Sequence, residues 1–482
     1  MSNPILKLEE PSIKEDLWQD DALVRKPIAE ALTNLFKDET QSLTISLNGG
    51  WGSGKTFLLK RWHAQLNKDG YKAIYFNAWE DDFCGDPLMA IIGQLWESLK
   101  DSDSVEYGNA IKEAAKPLFT KTLLNIVSTA TAGAIDISKE ELKSVALKTV
   151  DEYFEQRANK DELKKRLAAM AAKVAKDTGH PMVFIIDELD RCRPTFSIEL
   201  LERVKHIFDI PNMVFVFGID RNQLASSIKA VYGEIDVDGY LRRFFDMDFT
   251  LPSADARTFC RHLMKRHGMA EYFEKRSAEA GNAIHKTDYI EFNDFFSKLC
   301  QQLGLTLREI ELCIRSFIFV AKNIPVNNLM FPIPLSVLLL LRLKNYPLYV
   351  KFTKGECRAS EILDYIESFF DETQDDGAAN FLDDLEVQLY VADYEEYAEG
   401  GDIIKTQLTR IAEGNLLTLP QYLSKRAGTP NQKKAKNLLD WYEESLKRIR
   451  FGHGRMLAKK QIHGYLIPKI ELTLMMPPDV WK

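Results

Sequence analysis

The chain has 482 residues, 45% of them hydrophobic and 28% charged, with a formal net charge of −8. Such a composition belongs to an ordinary soluble globular protein of about three domains, and the negative balance excludes bulk attraction to nucleic acid or anionic membrane except through a local patch. Six cysteines without a CxxC pair and eight histidines without an HExxH run exclude a disulfide framework and a recognisable zinc site, and predict reduced thiols in the cytoplasm.

Met1–Glu10 lacks an apolar h-region, so no signal peptide is expected there. Residues 13–39 read as a polar helix with Leu17, Leu23, Ile28, Leu32 and Leu35 as its buried stripe. Arg25 and Lys26 fit the flank of a nucleotide base less well than they fit a solvated helix face. Residues 43–48 then alternate as a short strand, turn through glycines, and run into a helix with the stripe Leu58, Leu59, Trp62 and Leu66. Gly49, four residues and Gly54-Lys55-Thr56 complete the spacing of a phosphate-binding loop. Its glycines let several backbone N–H groups converge, and the helix N-terminus adds partial positive charge. The run Gly49, Gly50, Trp51, Gly52, Ser53, Gly54, Lys55, Thr56 and Phe57 is thus the expected nucleotide-binding segment. Lys55 would reach the β- and γ-phosphates, and the Thr56 hydroxyl would ligand Mg²⁺.

Residues 72–80 read as a second strand ending in a polar-aromatic turn, followed by a helix from about Pro87 to Leu99. Residues 100–178 read as mostly helical. Within them Leu123–Ile135 is charge-free but only 13 residues long, too short for a membrane span, which needs about 20 apolar residues. Met182–Ile186 is an unbroken apolar run that ends in Asp187-Glu188, as a strand buried on both faces of a parallel sheet would. Its carboxyl end would carry the acids to the crevice where such sheets bind ligands. Asp187 is the expected Mg²⁺ partner opposite Thr56, and Glu188 the group that orients or deprotonates an attacking water.

Met213–Ile219 repeats the pattern, with Asp220 at its tip facing the γ-phosphate side or the water, and a helix follows from Asn222 to about Tyr232. Residues 240–245 lead into an alternating last strand at 246–251. Arg242 or Arg243 fits an arginine finger, in cis or toward a neighbouring subunit, and equally fits a surface helix pairing with acids. Residues 254–343 read as helical, with Arg308 on an amphipathic helix that would point back at the nucleotide. The 19 uncharged residues between Lys322 and Arg342 are broken by Pro325, Pro332 and Pro334, and a buried helix is expected.

Residues 359–404 hold 15 acids and no Lys or Arg, whereas 405–482 hold 15 basic and six acidic groups, a net +9. Folded helices with an acidic face are expected first. The basic block, notably Lys447, Arg448, Arg450, Arg455, Lys459 and Lys460, would pair with that face or grip nucleic-acid phosphates.

Together, Gly49–Thr56, Phe76-Asn77-Ala78-Trp79, Asp187–Cys192, Gly218–Arg221 and Tyr240-Leu241 resemble the KAP family of P-loop NTPases, in the STAND class of signalling ATPases. The resemblance spans roughly residues 15–255. It implies an α/β fold, a P-loop NTPase core (AAA+/STAND-like) with a five-stranded parallel sheet in which another strand separates the P-loop strand from the acidic one. It also implies a helical lid, ATP with Mg²⁺, and nucleotide-controlled assembly as a homo-oligomer or with a partner protein. The domain plan expected is a core over 1–255 with an insertion at about 100–178, a lid over 256–345, and a mostly α-helical C-terminal domain over 346–482.

Many KAP proteins carry transmembrane helices between the P-loop and the acidic strand; residues 100–178 hold no convincing span, so a cytoplasmic member is expected. Glu188 stands where Asp is more usual, which suits a catalytic base. Bacterial members are often linked to phage exclusion, a family-level implication. A DNA-acting ATPase gripping through the basic segment and a nucleotide-binding scaffold without turnover are the rival readings.

Overall fold

Three apolar strands in the interior of one sheet organise the N-terminal part of the chain. In the computed structural model the described residues are 16–99, 106, 108–115, 139–281, 284–326, 330–357 and 359–370. Short pieces at 381–382, 385, 389, 409–412, 415–418 and 466–475 are also described. Residues 123–135, most of the acidic block and nearly all of the basic block lie outside them. The chain divides into two units between Ser253 and Ala254.

The first unit holds α1 (Lys26–Phe36), β1 (Leu43–Asn48), α2 (Lys55–Lys68), β2 (Ala73–Asn77), α3 (Ala78–Asp81), α4 (Pro87–Leu99) and α5 (Lys139–Thr178). After these come β3 (Met182–Asp187), α6 (Pro194–Ile207), β4 (Met213–Ile219), α7 (Arg221–Tyr232), α8 (Val237–Leu241) and β5 (Met247–Thr250). The five strands run parallel in the order β2-β3-β4-β1-β5. β4 therefore separates the P-loop strand from the acidic one, as the family resemblance implies.

Period-two alternation sorts the apolar side chains onto two faces. Phe76, Phe184, Ile186, Phe215 and Phe217 pack with α4, α5 and α6 residues such as Leu95, Leu167 and Leu201 on one face. Ile45, Leu47, Val183, Ile185, Val214 and Val216 pack with Leu32, Phe36, Leu58, Leu59 and Trp62 of α1 and α2 on the other. Every residue of β3 and β4 is buried, which is why both read as continuous hydrophobic runs. The Trp62 indole donates to Thr33 Oγ1 at 2.8 Å and ties α2 to α1.

Two local expectations are corrected. The helix expected over 13–39 is confined to Lys26–Phe36, preceded by turns from residue 16 on, and Pro27 opens its first turn. Its buried stripe is Ala29, Leu32 and Phe36, while Leu35 is exposed. The polar-aromatic turn expected at the end of the second strand is the start of a short helix, the strand itself ending at Asn77. The Asn77 side chain accepts from Trp79 N at 3.2 Å and starts a helix there instead.

In the second unit, α9 (Ala256–Arg266), α10 (Met269–Ala280), α11 (Ile284–Gln302), α12 (Leu307–Asn323), α13 (Pro332–Lys344), α14 (Tyr346–Thr353) and α15 (Ala359–Glu367) share one apolar core. Thr306 and Glu309 form a reciprocal capping box that fixes the start of α12. Residues 333–341 of α13 are all buried, as the uncharged stretch implies. Arg342 donates to the Ile470 carbonyl at 2.7 Å, which joins α13 to α16 (Ile467–Met475). A short antiparallel pair, β6 (Thr409–Ala412) and β7 (Asn415–Thr418), is present among the described residues of this part. Among the described residues no helix is long and apolar enough to cross a membrane.

Candidate nucleotide site

The loop from Gly49 to Gly54 joins the carboxyl end of β1 to the N-terminus of α2. Gly49 donates to the Ile219 carbonyl at 3.0 Å, so the loop springs from the edge shared by β1 and β4. A Cβ on Gly49 would sit 2.8 Å from Ser53 Oγ and 3.3 Å from Lys55 Cγ, so a larger residue there would press on the loop's own side chains. Gly54 adopts φ 90, the left-handed conformation that lets the chain swing into the helix.

The first turn of α2 has no side-chain cap and no acidic residue, which leaves its amide N–H groups to an anion. Ser53 Oγ is buried without a partner among the described residues. A glycine-lined turn, an uncapped helix start and an orphaned hydroxyl are the donor set that phosphate oxygens satisfy. Lys55 is buried, and its ammonium donates to the Gly49 and Gly50 carbonyls, the latter at 3.3 Å. Burial lowers its pKa, opposed by the charges of Asp190, Asp220 and Asp187, in that order. The three acids of the neighbouring strand ends thus act on the P-loop lysine.

Asp187 ends β3 and is 1% exposed. Its Oδ2 accepts the Tyr75 hydroxyl at 2.8 Å and its Oδ1 accepts the Glu188 amide at 2.8 Å. Each oxygen keeps a lone pair, so the carboxylate is oriented and still able to bind a cation or its water. Thr56, the second residue of α2, is half-buried at the head of the helix. No group of three His, Cys, Asp or Glu able to hold a metal occurs among the described residues. A divalent ion at Thr56 and Asp187 would therefore complete its shell with phosphate oxygens and water, as Mg²⁺ prefers.

Gly218 makes room for this arrangement. A Cβ there would lie 2.4 Å from Leu59 Cδ1 and 2.9 Å from Asp187 Oδ1.

Glu188 holds a left-handed backbone at φ 59, which costs an L-residue about 1–2 kcal/mol. The turn Leu189–Arg191 is pinned by buried Leu189, whose carbonyl accepts Ser197 Oγ at 2.8 Å. Burial raises the Glu188 pKa, countered by Arg191, whose guanidinium stands 3.1 Å from Oε1, and reinforced by Asp187 and Asp190.

Asp220 has more partners than its expected role requires. It caps α7 through Oδ1, accepting from Asn222 at 3.1 Å and Gln223 at 3.4 Å, and its Oδ2 accepts the Trp51 amide at 2.9 Å. The acid thereby grips the P-loop backbone itself. The next residue, Arg221, bridges Asp238 at 2.9 Å and Asp248, and its amide donates to Asn48 Oδ1 at 3.1 Å.

Arg242 and Arg243 follow α8 and are exposed. The Phe57 ring lies under the Arg61 guanidinium, 3.7 Å from its centroid. Arg308 is exposed near the start of α12 in the second unit. Arg25 corrects its reading as a solvated residue: it is buried, and it donates to the Pro252 carbonyl at 3.0 Å and the Ser53 carbonyl at 3.4 Å. Burial lowers its pKa, with Asp21 opposing.

The KAP family P-loop domain matches residues 25–317, more than half of the chain. The chain belongs to the KAP family of P-loop NTPases. The Phage T7 exclusion protein of Escherichia coli (strain K12) is 22% identical to this KAP chain over 340 residues, which cover 64% of this chain and 42% of that protein. The chain thus spans less than half the length of that relative. Among solved structures, the Aeropyrum pernix ORC2 protein in its ADP form aligns with a TM-score of 0.29 at 13% identity, covering 76% of this chain and 96% of that one. The Aeropyrum pernix ORC1 protein in complex with DNA aligns with a TM-score of 0.25 at 15% identity, covering 75% and 86%.

Tyr75 and Asn48 belong to the candidate site although motif spacing did not single them out, while Asp190 lies within the Asp187–Cys192 motif and Arg25 was weighed and read as solvated. Tyr75 and Asn48 sit in the last three residues of their strands, the place where side chains reach the crevice, and that position was the available signal.

Proposed function

We propose that this KAP chain binds ATP and hydrolyses it with Mg²⁺, working as a nucleotide-controlled switch. The observation that carries the reading is the gathering of the P-loop lysine with Asp187, Asp190 and Asp220 at the carboxyl edge of one sheet. In this reading the loop amides from Gly50 to Thr56 and the Lys55 ammonium bind the β- and γ-phosphates. Bound Mg²⁺, held by Thr56 and Asp187, supplies charge neutralisation of the phosphate oxygens. Glu188 takes the proton of a water that attacks the γ-phosphorus, while the bond to the β-phosphate oxygen breaks and ADP leaves with phosphate. Asp220 holds the loop in register, and Arg242 or Arg243 completes the charge from a neighbouring subunit. Residues 256–345 are read as the helical lid of the family and 346–482 as the part that carries the nucleotide state to a partner.

Support for a role in phage exclusion is the similarity to a protein bearing that name over part of its length. The proposed setting is a cytoplasmic STAND-type defence switch. The test is phosphate release by wild type, Lys55→Ala and Glu188→Gln. Turnover by wild type that both variants lose supports the switch, and wild type no faster than either leaves a scaffold without turnover.

A further inference from the structure

Within the phosphate loop, Trp51 is a large apolar side chain that remains about half exposed, at 47%. Burial therefore does not account for it, and its hydrogen bonds do. The indole Nε1–H donates to Asp190 Oδ2, and the backbone N–H donates to Asp220 Oδ2 at 2.9 Å. Asp190 is a rigid anchor: it is 7% exposed in the turn fixed by Leu189 and Ser197. Its second oxygen, Oδ1, is buried without a partner among the described residues. Of the three nearby acids it also acts most strongly on the Lys55 ammonium.

We infer that the Trp51 indole and the Asp190 carboxylate form a latch that pins the tip of the phosphate loop to the exit of β3, making both positioning residues for nucleotide phosphates. This rests on the nucleotide-binding reading above. The physical argument is preorganisation. Phosphate binding needs several loop amides to converge at once, and a loop left loose must be ordered at the moment of binding. The Asp220 contact holds the loop backbone only at residue 51. The latch adds a second tie on the side chain of the same residue and fixes its orientation as well as its position. Gly52 and Gly54, both at positive φ, supply the freedom that the latch restrains.

The test is equilibrium binding of ADP to the full chain by calorimetry. It compares wild type with Trp51→Phe, Asp190→Ala, Asp190→Asn and the Trp51→Phe/Asp190→Ala double variant, with melting of the nucleotide-free protein measured alongside. Trp51→Phe keeps the ring and removes only the donor, and is expected to weaken binding about tenfold. Asp190→Ala also removes a charge that acts on Lys55, so the double variant is compared with it, and is expected to bind no more weakly than Asp190→Ala alone, because the bond is already lost there. Asp190→Asn keeps an acceptor oxygen and should recover most of the affinity, which loss of fold would not do. Additive losses in the double variant, or a Trp51→Phe protein that binds like wild type, overturn the latch alone. Should Asp190→Ala fail to fold, Trp51→Phe and Asp190→Asn decide the matter. Wild type that binds no ADP overturns the latch and the reading beneath it together.

Discussion

Tyr75 on β2 donates its hydroxyl to Asp187 on the neighbouring β3 at 2.8 Å, and so aims the carboxylate that the P-loop faces. Burial and the Asp187 charge hold the phenol well above its usual pKa, so it stays a donor across the working range. Outer partners of this kind orient a metal-binding carboxylate, and removing them typically costs 10–100-fold in metal affinity or activity. Tyr75→Phe is therefore expected to raise the Mg²⁺ concentration for half-maximal hydrolysis at least tenfold, with the fold intact. A magnesium titration of phosphate release checks this, and an unchanged midpoint removes Tyr75 from the site.

Glu188 sets the expected pH dependence. Burial raises its pKa above that of a free glutamate, and Asp187 and Asp190 add to the shift while Arg191 opposes it. A base works only when deprotonated, so turnover is lost as pH falls through the raised value. Arg191→Ala removes the opposing charge and moves that acid limb to higher pH. Glu188→Gln lowers turnover by about 10²–10⁴-fold and leaves ATP binding in place. Rate profiles from pH 5 to 8, with binding measured in parallel, check both variants.

Gly218 tests how closely β4 and α2 approach the acid. The methyl of Gly218→Ala would meet Leu59 Cδ1, a buried side chain without room to withdraw, and Asp187 Oδ1. Overpacking of this kind costs about 1–3 kcal/mol. The expected outcome is a lower melting temperature together with impaired hydrolysis, since one methyl disturbs both core and carboxylate. Melting and turnover indistinguishable from wild type would contradict the packing described.

The scaffold of the site was legible because β3 and β4 are buried on both faces and so read as apolar runs, and because the P-loop spacing is specific. Strand order followed from the family resemblance. What escaped the sequence depends on register and burial. Tyr75 meets Asp187 only because Asn77 pairs with Asp187 across the two strands, and no local pattern carries that pairing. Arg25 looked solvated because it stands beside Lys26 in a polar, charged stretch, yet its own side chain turns inward to two carbonyls. The turn expected after the second strand proved to be a helix start because the Asn77 side chain caps it.

Arg25 yields a stability prediction from the same contacts. Removing a buried guanidinium that donates to two backbone carbonyls leaves both acceptors unsatisfied, at a cost of about 1–3 kcal/mol. Arg25→Ala should melt several degrees lower. Arg25→Lys should recover only part of the loss, because a single ammonium does not span both carbonyls as a planar fork does. Thermal melts of the three proteins decide it, and a fully stable Arg25→Ala would show that the bridge contributes nothing.

The central claim is that Lys55 and Asp187 act on one triphosphate. Calorimetric titration of a non-hydrolysable ATP analogue tests it most directly, with and without Mg²⁺, into wild type, Lys55→Ala, Asp187→Ala and the double variant. The account predicts one site per chain in wild type, binding largely lost in Lys55→Ala, and binding in Asp187→Ala that no longer gains from Mg²⁺, with non-additive losses in the double variant. Wild type that binds no analogue, or Lys55→Ala that binds as tightly as wild type, would contradict it.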